Sequence, residues 1–127
     1  MVVVADDDPD MRRFLRDLLN HRGYDVITAM DVREALKHLR RPDVAAAVVD
    51  MPFVNSAGCS GLDLLRYVRN SPRLALLPVI VLTAFPLNGT LLREIEVLGG
   101  ELWHKPFDPF ALVDRLNGLL LEHPVSA

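Results

Sequence analysis

Short apolar runs alternate along the chain with longer stretches in which apolar residues recur every three or four positions. The runs are rich in β-branched residues, which predicts strands buried on both faces of a sheet. The periodic stretches predict amphipathic helices. Five strands are predicted in this way, at residues 2–5, 24–28, 44–49, 79–82 and 102–104.

A helix is predicted after each strand, and several helix ends carry recognisable signals. Asp8 is a suitable N-cap with Pro9 at the first helical position, and Gly23 closes the same helix. Asp31 can cap the second helix, and Pro109 begins the last one. Strands that alternate with helices in this order predict a parallel sheet with helices on both faces, which is a doubly wound α/β fold.

The chain has 127 residues and a formal net charge of −3, which together predict one domain over residues 1–127 and do not favour direct nucleic-acid binding. The basic residues are scattered, and doublets such as Arg12-Arg13 and Arg40-Arg41 are typical of solvated helix faces. The start of the chain does not resemble a signal peptide. The longest apolar stretch, residues 74–85, contains Pro78 and is too short to cross a bilayer. We therefore expect a cytoplasmic protein without membrane insertion.

Polar side chains follow the predicted strands at the points where the strands end. Asp6 and Asp7 follow the first strand, Asp50 the third, Thr83 the fourth and Lys105 the fifth. Because ligands of such sheets bind at the carboxyl ends of the strands, these side chains are expected to share one site. Clustered carboxylates favour a hard divalent cation such as Mg²⁺, and a carboxylate beside such an ion can act as a nucleophile toward a phosphoryl group. A lysine and a hydroxyl could help to neutralise the transferred group.

Four stretches of the chain resemble the receiver domains of two-component response regulators. The resemblance rests on VVADDDP at residues 3–9, VVD at 48–50, VLTA at 81–84 and HKPF at 104–107. It covers nearly the whole chain and implies a five-stranded sheet with the flavodoxin-like strand order 2-1-3-4-5.

The resemblance also implies a phosphoacceptor and a Mg²⁺ site. Asp50 matches the phosphoacceptor aspartate. Asp6 and Asp7 match the acidic pair that binds the metal, with Asp7 as the direct ligand and Asp6 acting partly through water. The main-chain carbonyl of Pro52 matches the remaining protein ligand.

Two further residues and the partners follow from the same resemblance. Thr83 matches the hydroxyl residue that closes on the phosphoryl group, Lys105 matches the lysine that pairs with it, and the Lys105–Pro106 peptide bond is expected to be cis. The implied partners are a sensor histidine kinase or phosphotransfer protein, which donates the phosphoryl group, and a downstream protein or output domain. A homodimer is a further possibility.

The sequence departs from the receiver pattern at two places. Met51-Pro52 follows Asp50 directly, whereas receivers carry two residues before such a pair. Leu102 stands where receivers carry an aromatic switch residue, and Trp103 beside it should point to the opposite face of the strand. These departures leave open a pseudo-receiver, a binding module that is not phosphorylated. An aspartate-nucleophile phosphatase is a third reading, but Pro52 stands where that class needs a general acid.

Overall fold

The computed structural model describes residues 1–50, 61–84 and 89–122, which form a five-stranded parallel sheet and five helices. The strands are β1 (Val2–Ala5), β2 (Val26–Ala29), β3 (Ala46–Asp50), β4 (Val79–Thr83) and β5 (Glu101–His104). The helices are α1 (Pro9–His21), α2 (Val32–Leu39), α3 (Gly61–Asn70), α4 (Gly89–Val97) and α5 (Pro109–Glu122). The strand order is β2-β1-β3-β4-β5, so the predicted doubly wound α/β fold and its flavodoxin-like order are confirmed.

The core consists of two hydrophobic clusters, one on each face of the sheet. Val2 and Val4 of β1 belong to the cluster that α1 and α5 cover, whereas Val3 and Ala5 belong to the cluster that α2, α3 and α4 cover. Alternate side chains of a strand point to opposite faces, which explains this division. A strand buried on both faces is expected to be apolar, and the central strands of this sheet are apolar except for the last residues of β3 and β4, Asp50 and Thr83.

The predicted caps of the first two helices are present. The Asp8 side chain accepts a hydrogen bond from the amide of Asp10, and Pro9 is the first residue of α1. Asp31 caps α2 by accepting a hydrogen bond of 2.8 Å from the amide of Glu34. Gly23 follows the end of α1 with a φ of +91°, a conformation that favours glycine.

Two strands begin later than their apolar runs predict. β2 begins at Val26 rather than at Tyr24, and β3 begins at Ala46 rather than at Val44. The first residue of β1, Val2, is level with both Val26 and Ala46, so pairing with β1 determines where the two neighbouring strands begin. The amide of Tyr24 instead donates a hydrogen bond to the main-chain carbonyl of Leu19 in α1.

The turn between α4 and β5 is tied to α3 by one arginine. The guanidinium of Arg69, near the end of α3, donates to the main-chain carbonyls of Leu98 and Gly99 in this turn. It also donates to the carbonyls of Ala75 and Leu77, which lie between α3 and β4. The Arg69 side chain therefore links the α4–β5 turn to the segment between α3 and β4.

None of the helices in the described ranges is long and apolar enough to cross a membrane.

Candidate functional site

The register of the sheet brings the acidic residues of two strands together. Ala5, the last residue of β1, is level with Val49 of β3. Asp6 therefore leaves β1 beside Asp50, the last residue of β3. Both side chains are buried, with relative exposures of 1% for Asp6 and 4% for Asp50.

The other side of the site comes from β4 and β5. Thr83 ends β4, is fully buried and is level with His104, the last residue of β5. The main-chain amide of Lys105 donates a hydrogen bond of 2.7 Å to the Thr83 carbonyl, which continues the pairing of β5 with β4 to Lys105. The Lys105–Pro106 peptide bond is cis, as predicted.

The lysine side chain reaches both buried carboxylates. Lys105 Nζ donates a hydrogen bond of 2.9 Å to Asp50 Oδ1 and lies 3.7 Å from Asp6 Oδ2. Burial lowers the pKa of Lys105, but its hydrogen bond and charge interaction with Asp50 outweigh the burial and leave the pKa above its usual value. Lys105 is therefore charged and holds the Asp50 side chain in one orientation.

Asp6 is the most constrained carboxylate of the site. Its Oδ1 accepts a hydrogen bond of 2.9 Å from the amide of Asp8. Its Oδ2 is buried and has no hydrogen-bond partner among the residues that the structure describes. Burial raises the pKa of Asp6 to about 6, and the charge of Asp50 adds to this effect, while the Asp8 amide and Lys105 oppose it. Burial also raises the pKa of Asp50, with its hydrogen bond to Lys105 acting in the opposite direction.

Three carboxylates form a cluster that could hold a metal ion. One oxygen each from Asp6, Asp7 and Asp50 lies within 4.8 Å of the others, and Asp7 is exposed at the mouth of the cluster. The donors are all hard oxygens, and the unpartnered Asp6 Oδ2 lacks a positive partner at hydrogen-bond distance. Both observations fit a divalent ion such as Mg²⁺. Pro52, whose carbonyl was predicted as a further ligand, lies outside the described residues.

One residue at this site was not anticipated from the sequence. Arg12 was expected on a solvated helix face, but it is half-buried, and its Nη1 donates a hydrogen bond of 2.8 Å to the main-chain carbonyl of Asp6. Its neighbour Arg13 is exposed, as expected. A long basic side chain at the end of the first turn of a helix that begins beside the acidic residues was the available signal.

Leu102 and Trp103 lie on opposite faces of β5, as the alternation of a strand predicts. Leu102 packs against the cluster that α2, α3 and α4 cover, and Trp103 packs against the cluster that α1 and α5 cover. The Trp103 indole N–H donates to the carboxylate of Glu101 at 3.0 Å, and Glu101 also accepts a hydrogen bond from Arg115 of α5.

A doubly wound sheet with an acidic pocket and a lysine at the carboxyl ends of its strands defines the class of this protein as a flavodoxin-like, chemotaxis-regulator-type domain. The family model of the response regulator receiver domain matches residues 2–117. The chain belongs to this family, whose members are signalling modules of two-component systems.

Two solved structures of response regulators agree with this assignment, and a protein of similar length is also similar to the chain. The chemotaxis response regulator CheY4 of Vibrio cholerae is 26% identical with a TM-score of 0.81, and the match covers 94% of this chain and 97% of that one. A response regulator receiver protein from Pseudomonas putida is 29% identical with a TM-score of 0.81, over 92% of this chain and 94% of that one. An uncharacterized 14.6 kDa protein from Leptolyngbya boryana is 32% identical over 99% of this chain and 94% of its own length.

Other relatives are longer. The transcriptional regulatory protein GltR of Pseudomonas aeruginosa is 28% identical, and the match covers 94% of this chain but 48% of GltR. The regulatory protein PhoP of Bacillus subtilis is 27% identical over 99% of this chain and 50% of PhoP. The chain thus spans about half the length of these two regulators.

Proposed function

We propose that this receiver domain accepts a phosphoryl group on Asp50 in a Mg²⁺-dependent reaction and signals through protein–protein contacts. The observation that carries the proposal is the contact of Lys105 with two buried carboxylates. Lys105 bonds to Asp50 and lies near Asp6, whose second oxygen is buried without a hydrogen-bond partner among the described residues. In a site of this kind the carboxylates can bind a cation, and the lysine can neutralise a group with several anionic oxygens.

In the proposed reaction an oxygen of the Asp50 carboxylate attacks the phosphorus atom of a phosphohistidine or of a small acyl phosphate. A bond forms between that oxygen and phosphorus, and the bond between phosphorus and the donor's nitrogen or oxygen breaks. The electron pair of the broken bond stays with the donor atom. Lys105 orients the carboxylate before the reaction and offers its charge to the phosphoryl oxygens afterwards. The hydroxyl of Thr83 is assigned the role of closing on those oxygens.

Asp6, Asp7 and Asp50 would hold the Mg²⁺ ion, together with the carbonyl of Pro52 outside the described residues. When bound, the ion would neutralise part of the charge that the phosphoryl group carries during transfer. The buried Asp6 Oδ2 supports this assignment because it has no hydrogen-bond partner among the described residues, and a hard cation would be bound by such an oxygen.

The proposed partners follow from the family. Receiver domains interact with histidine kinases or phosphotransfer proteins and with output domains. We assign a kinase or phosphotransfer protein as the donor for Asp50. The phosphorylated form would bias the surface around α4 and α5 toward a downstream protein or output domain.

The first prediction tests the phosphoacceptor. Asp50→Asn should take up no phosphoryl group, because the amide is not a nucleophile, while the fold is retained. The measurement is intact mass after incubation with acetyl phosphate and Mg²⁺. Asp17→Asn, an exposed position on α1 whose side chain pairs with Arg16, is the matched control and should gain the same mass as the wild type.

The same experiment distinguishes a phosphorylated receiver from the second candidate, a pseudo-receiver that is not phosphorylated. The direct Met51-Pro52 sequence after Asp50 and the leucine at position 102 favour a pseudo-receiver. A wild-type chain that gains no mass with Mg²⁺ would support that reading and overturn the proposal. Equal mass gain in Asp50→Asn and wild type would place the phosphoryl group on another residue.

A further inference from the structure

Arg12 links the first helix to the acidic turn that precedes it. Asp8 caps α1, and the amide of Arg12 makes a helical hydrogen bond of 3.0 Å to the Asp8 carbonyl. The Arg12 side chain extends back past this cap, and its Nη1 donates a hydrogen bond of 2.8 Å to the carbonyl oxygen of Asp6. One side chain therefore spans the turn between β1 and α1.

The carbonyl that Arg12 holds belongs to the peptide unit between Asp6 and Asp7. Other bonds fix the remainder of Asp6: its amide donates to the Ala29 carbonyl at 3.1 Å, and its Oδ1 accepts from the Asp8 amide at 2.9 Å. Neither of these two bonds is made by the carbonyl of the Asp6–Asp7 peptide unit. The bond from Arg12 acts on that carbonyl directly and restrains the orientation of the peptide plane.

Asp7 depends on this peptide plane more than its neighbours do. Its side chain is exposed, and within the described parts of the chain no hydrogen bond or ion pair is found that holds its carboxylate. An Asp7 oxygen nevertheless lies within 4.8 Å of oxygens of both Asp6 and Asp50. The position of the Asp7 carboxylate is consequently set through its backbone.

We propose that Arg12 is a positioning residue of the metal site, which holds the Asp6–Asp7 peptide in the orientation that directs the Asp7 carboxylate toward Asp6 and Asp50. The inference rests on the proposed Mg²⁺-dependent function and extends it to a residue that does not touch the ion. Residues that orient metal ligands without binding the metal change metal affinity because they remove the need to order the ligand during binding.

The positive charge of Arg12 and its positioning role have opposite effects on Mg²⁺ affinity. The direction in which the affinity changes on substitution therefore tests the proposal. A guanidinium bonded to the Asp6 carbonyl adds positive charge near the metal ligands and repels a divalent cation, so removal of its charge alone would tighten Mg²⁺ binding. Loss of positioning weakens Mg²⁺ binding, because Asp7 must then be ordered by the ion. The two roles predict changes of opposite sign for the same substitution.

The experiment compares Mg²⁺ affinities by titration calorimetry with magnesium chloride for wild type, Arg12→Met, Arg12→Lys and Arg13→Met. Arg12→Met should weaken binding about ten-fold, the lower end of the range for residues that orient metal ligands. Arg12→Lys, which keeps a donor and the charge, should recover most of the affinity. Arg13→Met removes an exposed charge from the next position of the same helix and should bind as tightly as the wild type or slightly more tightly.

Two accompanying measurements exclude a merely structural effect. Urea denaturation identifies any variant that is not folded, and Arg12→Ala, which removes the donor and has high helix propensity, replaces Arg12→Met in that case. The amide chemical shifts of Asp7 and Asp8, recorded without Mg²⁺, should change in Arg12→Met and not in Arg13→Met.

The outcomes separate this inference from the proposed function. If the wild type binds Mg²⁺ and Arg12→Met binds it as tightly or more tightly, the positioning role is wrong and the proposed function stands. If the wild type binds no Mg²⁺, the metal dependence of the proposed function is wrong, and the role of Arg12 is wrong with it.

Discussion

At the scale of single residues, Asp6 combines two requirements that oppose each other. Its carboxylate is buried at the end of a central strand, and Oδ2 has no hydrogen-bond partner in the described part of the chain. A buried carboxylate of this kind destabilises the fold when it is ionised. The same oxygen is a good ligand for a hard cation. We infer that the metal-free fold carries an energetic cost at Asp6 which a bound cation would offset.

This cost depends on pH in a defined direction. The pKa of Asp6 is about 6 in the folded protein and 3.8 in the unfolded chain, so the folded state binds the proton more tightly. The stability that this group contributes is fully present below pH 3.8 and is lost as the pH rises through 6. Each unit of pKa difference corresponds to about 1.4 kcal/mol, so the loss is at most about 3 kcal/mol.

The second prediction follows from this sign. Asp6→Asn should raise the free energy of unfolding of the metal-free protein at pH 8 by about 1–3 kcal/mol, because the amide needs no charge and keeps the oxygen that accepts from Asp8. Urea denaturation at pH 8 and below pH 4 provides the measurement. The gain should vanish at the lower pH, and Asp7→Asn at the exposed neighbouring position should show a smaller gain at pH 8. A less stable Asp6→Asn protein at pH 8 would contradict the burial argument.

The third prediction separates two adjacent aspartates by role. Asp7→Ala should weaken Mg²⁺ binding with little change in stability, because Asp7 is an exposed member of the carboxylate cluster. Asp8→Ala should lower stability by about 1 kcal/mol, because Asp8 caps α1. Each variant is the control for the other when calorimetric Mg²⁺ titration and urea denaturation are performed on both. Unchanged Mg²⁺ affinity in Asp7→Ala would remove Asp7 from the site.

At the scale of elements, the α4–β5 connection is tightly packed around Gly100. A Cβ atom at Gly100 would lie 3.0 Å from a methyl carbon of Leu65, 3.1 Å from one of Ile95 and 3.3 Å from one of Val81. These side chains belong to α3, α4 and β4, so Gly100 allows three elements to meet at the start of β5. Arg69 fastens the same turn through main-chain carbonyls.

The fourth prediction compares two glycine-to-alanine substitutions. Gly100→Ala should destabilise the protein by about 1–3 kcal/mol, because the added methyl group overpacks a core that cannot easily move. Gly118→Ala, within α5, should stabilise it by about 0.5–1 kcal/mol, because apart from its chain neighbours and the backbone of its own helix no atom lies within 4 Å of the new Cβ. The thermal midpoints of the two variants should therefore move in opposite directions. A neutral Gly100→Ala would show that α4 can shift away from the turn.

The elements themselves could largely be predicted from the sequence, because their signals are local. The periodicity of α1 and its cap at Asp8 lie within one segment, and so does the apolar run of β1. The first residues of β2 and β3 could not be predicted, since Val26 and Ala46 are selected by pairing with Val2. Pairing is a property of the sheet and leaves no mark in the run itself.

The site was predictable to the same extent and for the same reason. Asp6, Asp7, Asp50, Thr83 and Lys105 could be grouped because parallel strands end at one edge of the sheet. Bonds between a side chain and a carbonyl could not be predicted in this way, because neither the reach of the side chain nor its acceptor has a sequence signal. The bond from Arg12 to the Asp6 carbonyl is one example. The bonds from Arg69 to carbonyls about thirty residues away are another.

At the scale of the whole molecule, α4 is held at its C-terminal end. Ile95 is the buried residue of α4, Glu94 pairs with Arg66 of α3, and Arg69 binds the carbonyls that follow the helix. Gly89 and Thr90, at the N-terminal end next to the site, are exposed. Leu91, in the first turn of α4, packs against the core, so a movement of the N-terminal end has to repack this side chain.

The fifth prediction concerns the change that phosphorylation causes. Beryllium fluoride with Mg²⁺, a mimic of the phosphoryl group, should shift amide resonances across residues 85–90 more than those of Leu102 and Trp103. Residues 85–88 of this range lie outside the described residues, so Gly89 and Thr90 carry the structural argument. Leu102 packs on the core and Trp103 is held by Glu101, so both resist movement.

Amide chemical shifts with and without the mimic decide this prediction, and Asp50→Asn treated in the same way is the control. Largest changes at Leu102 and Trp103 would show that β5 transmits the signal in spite of its leucine.

Trp103 is the one tryptophan of the chain, and its indole is joined through Glu101 to Arg115 of α5. The intrinsic tryptophan fluorescence of this protein therefore reports on one local environment, the contact between β5 and α5 at one edge of the sheet. β2 occupies the opposite edge. Local unfolding of β2 and α2 alone would leave the emission of Trp103 unchanged. Unfolding followed by tryptophan fluorescence therefore detects changes at the β5 edge of the sheet and not at the β2 edge.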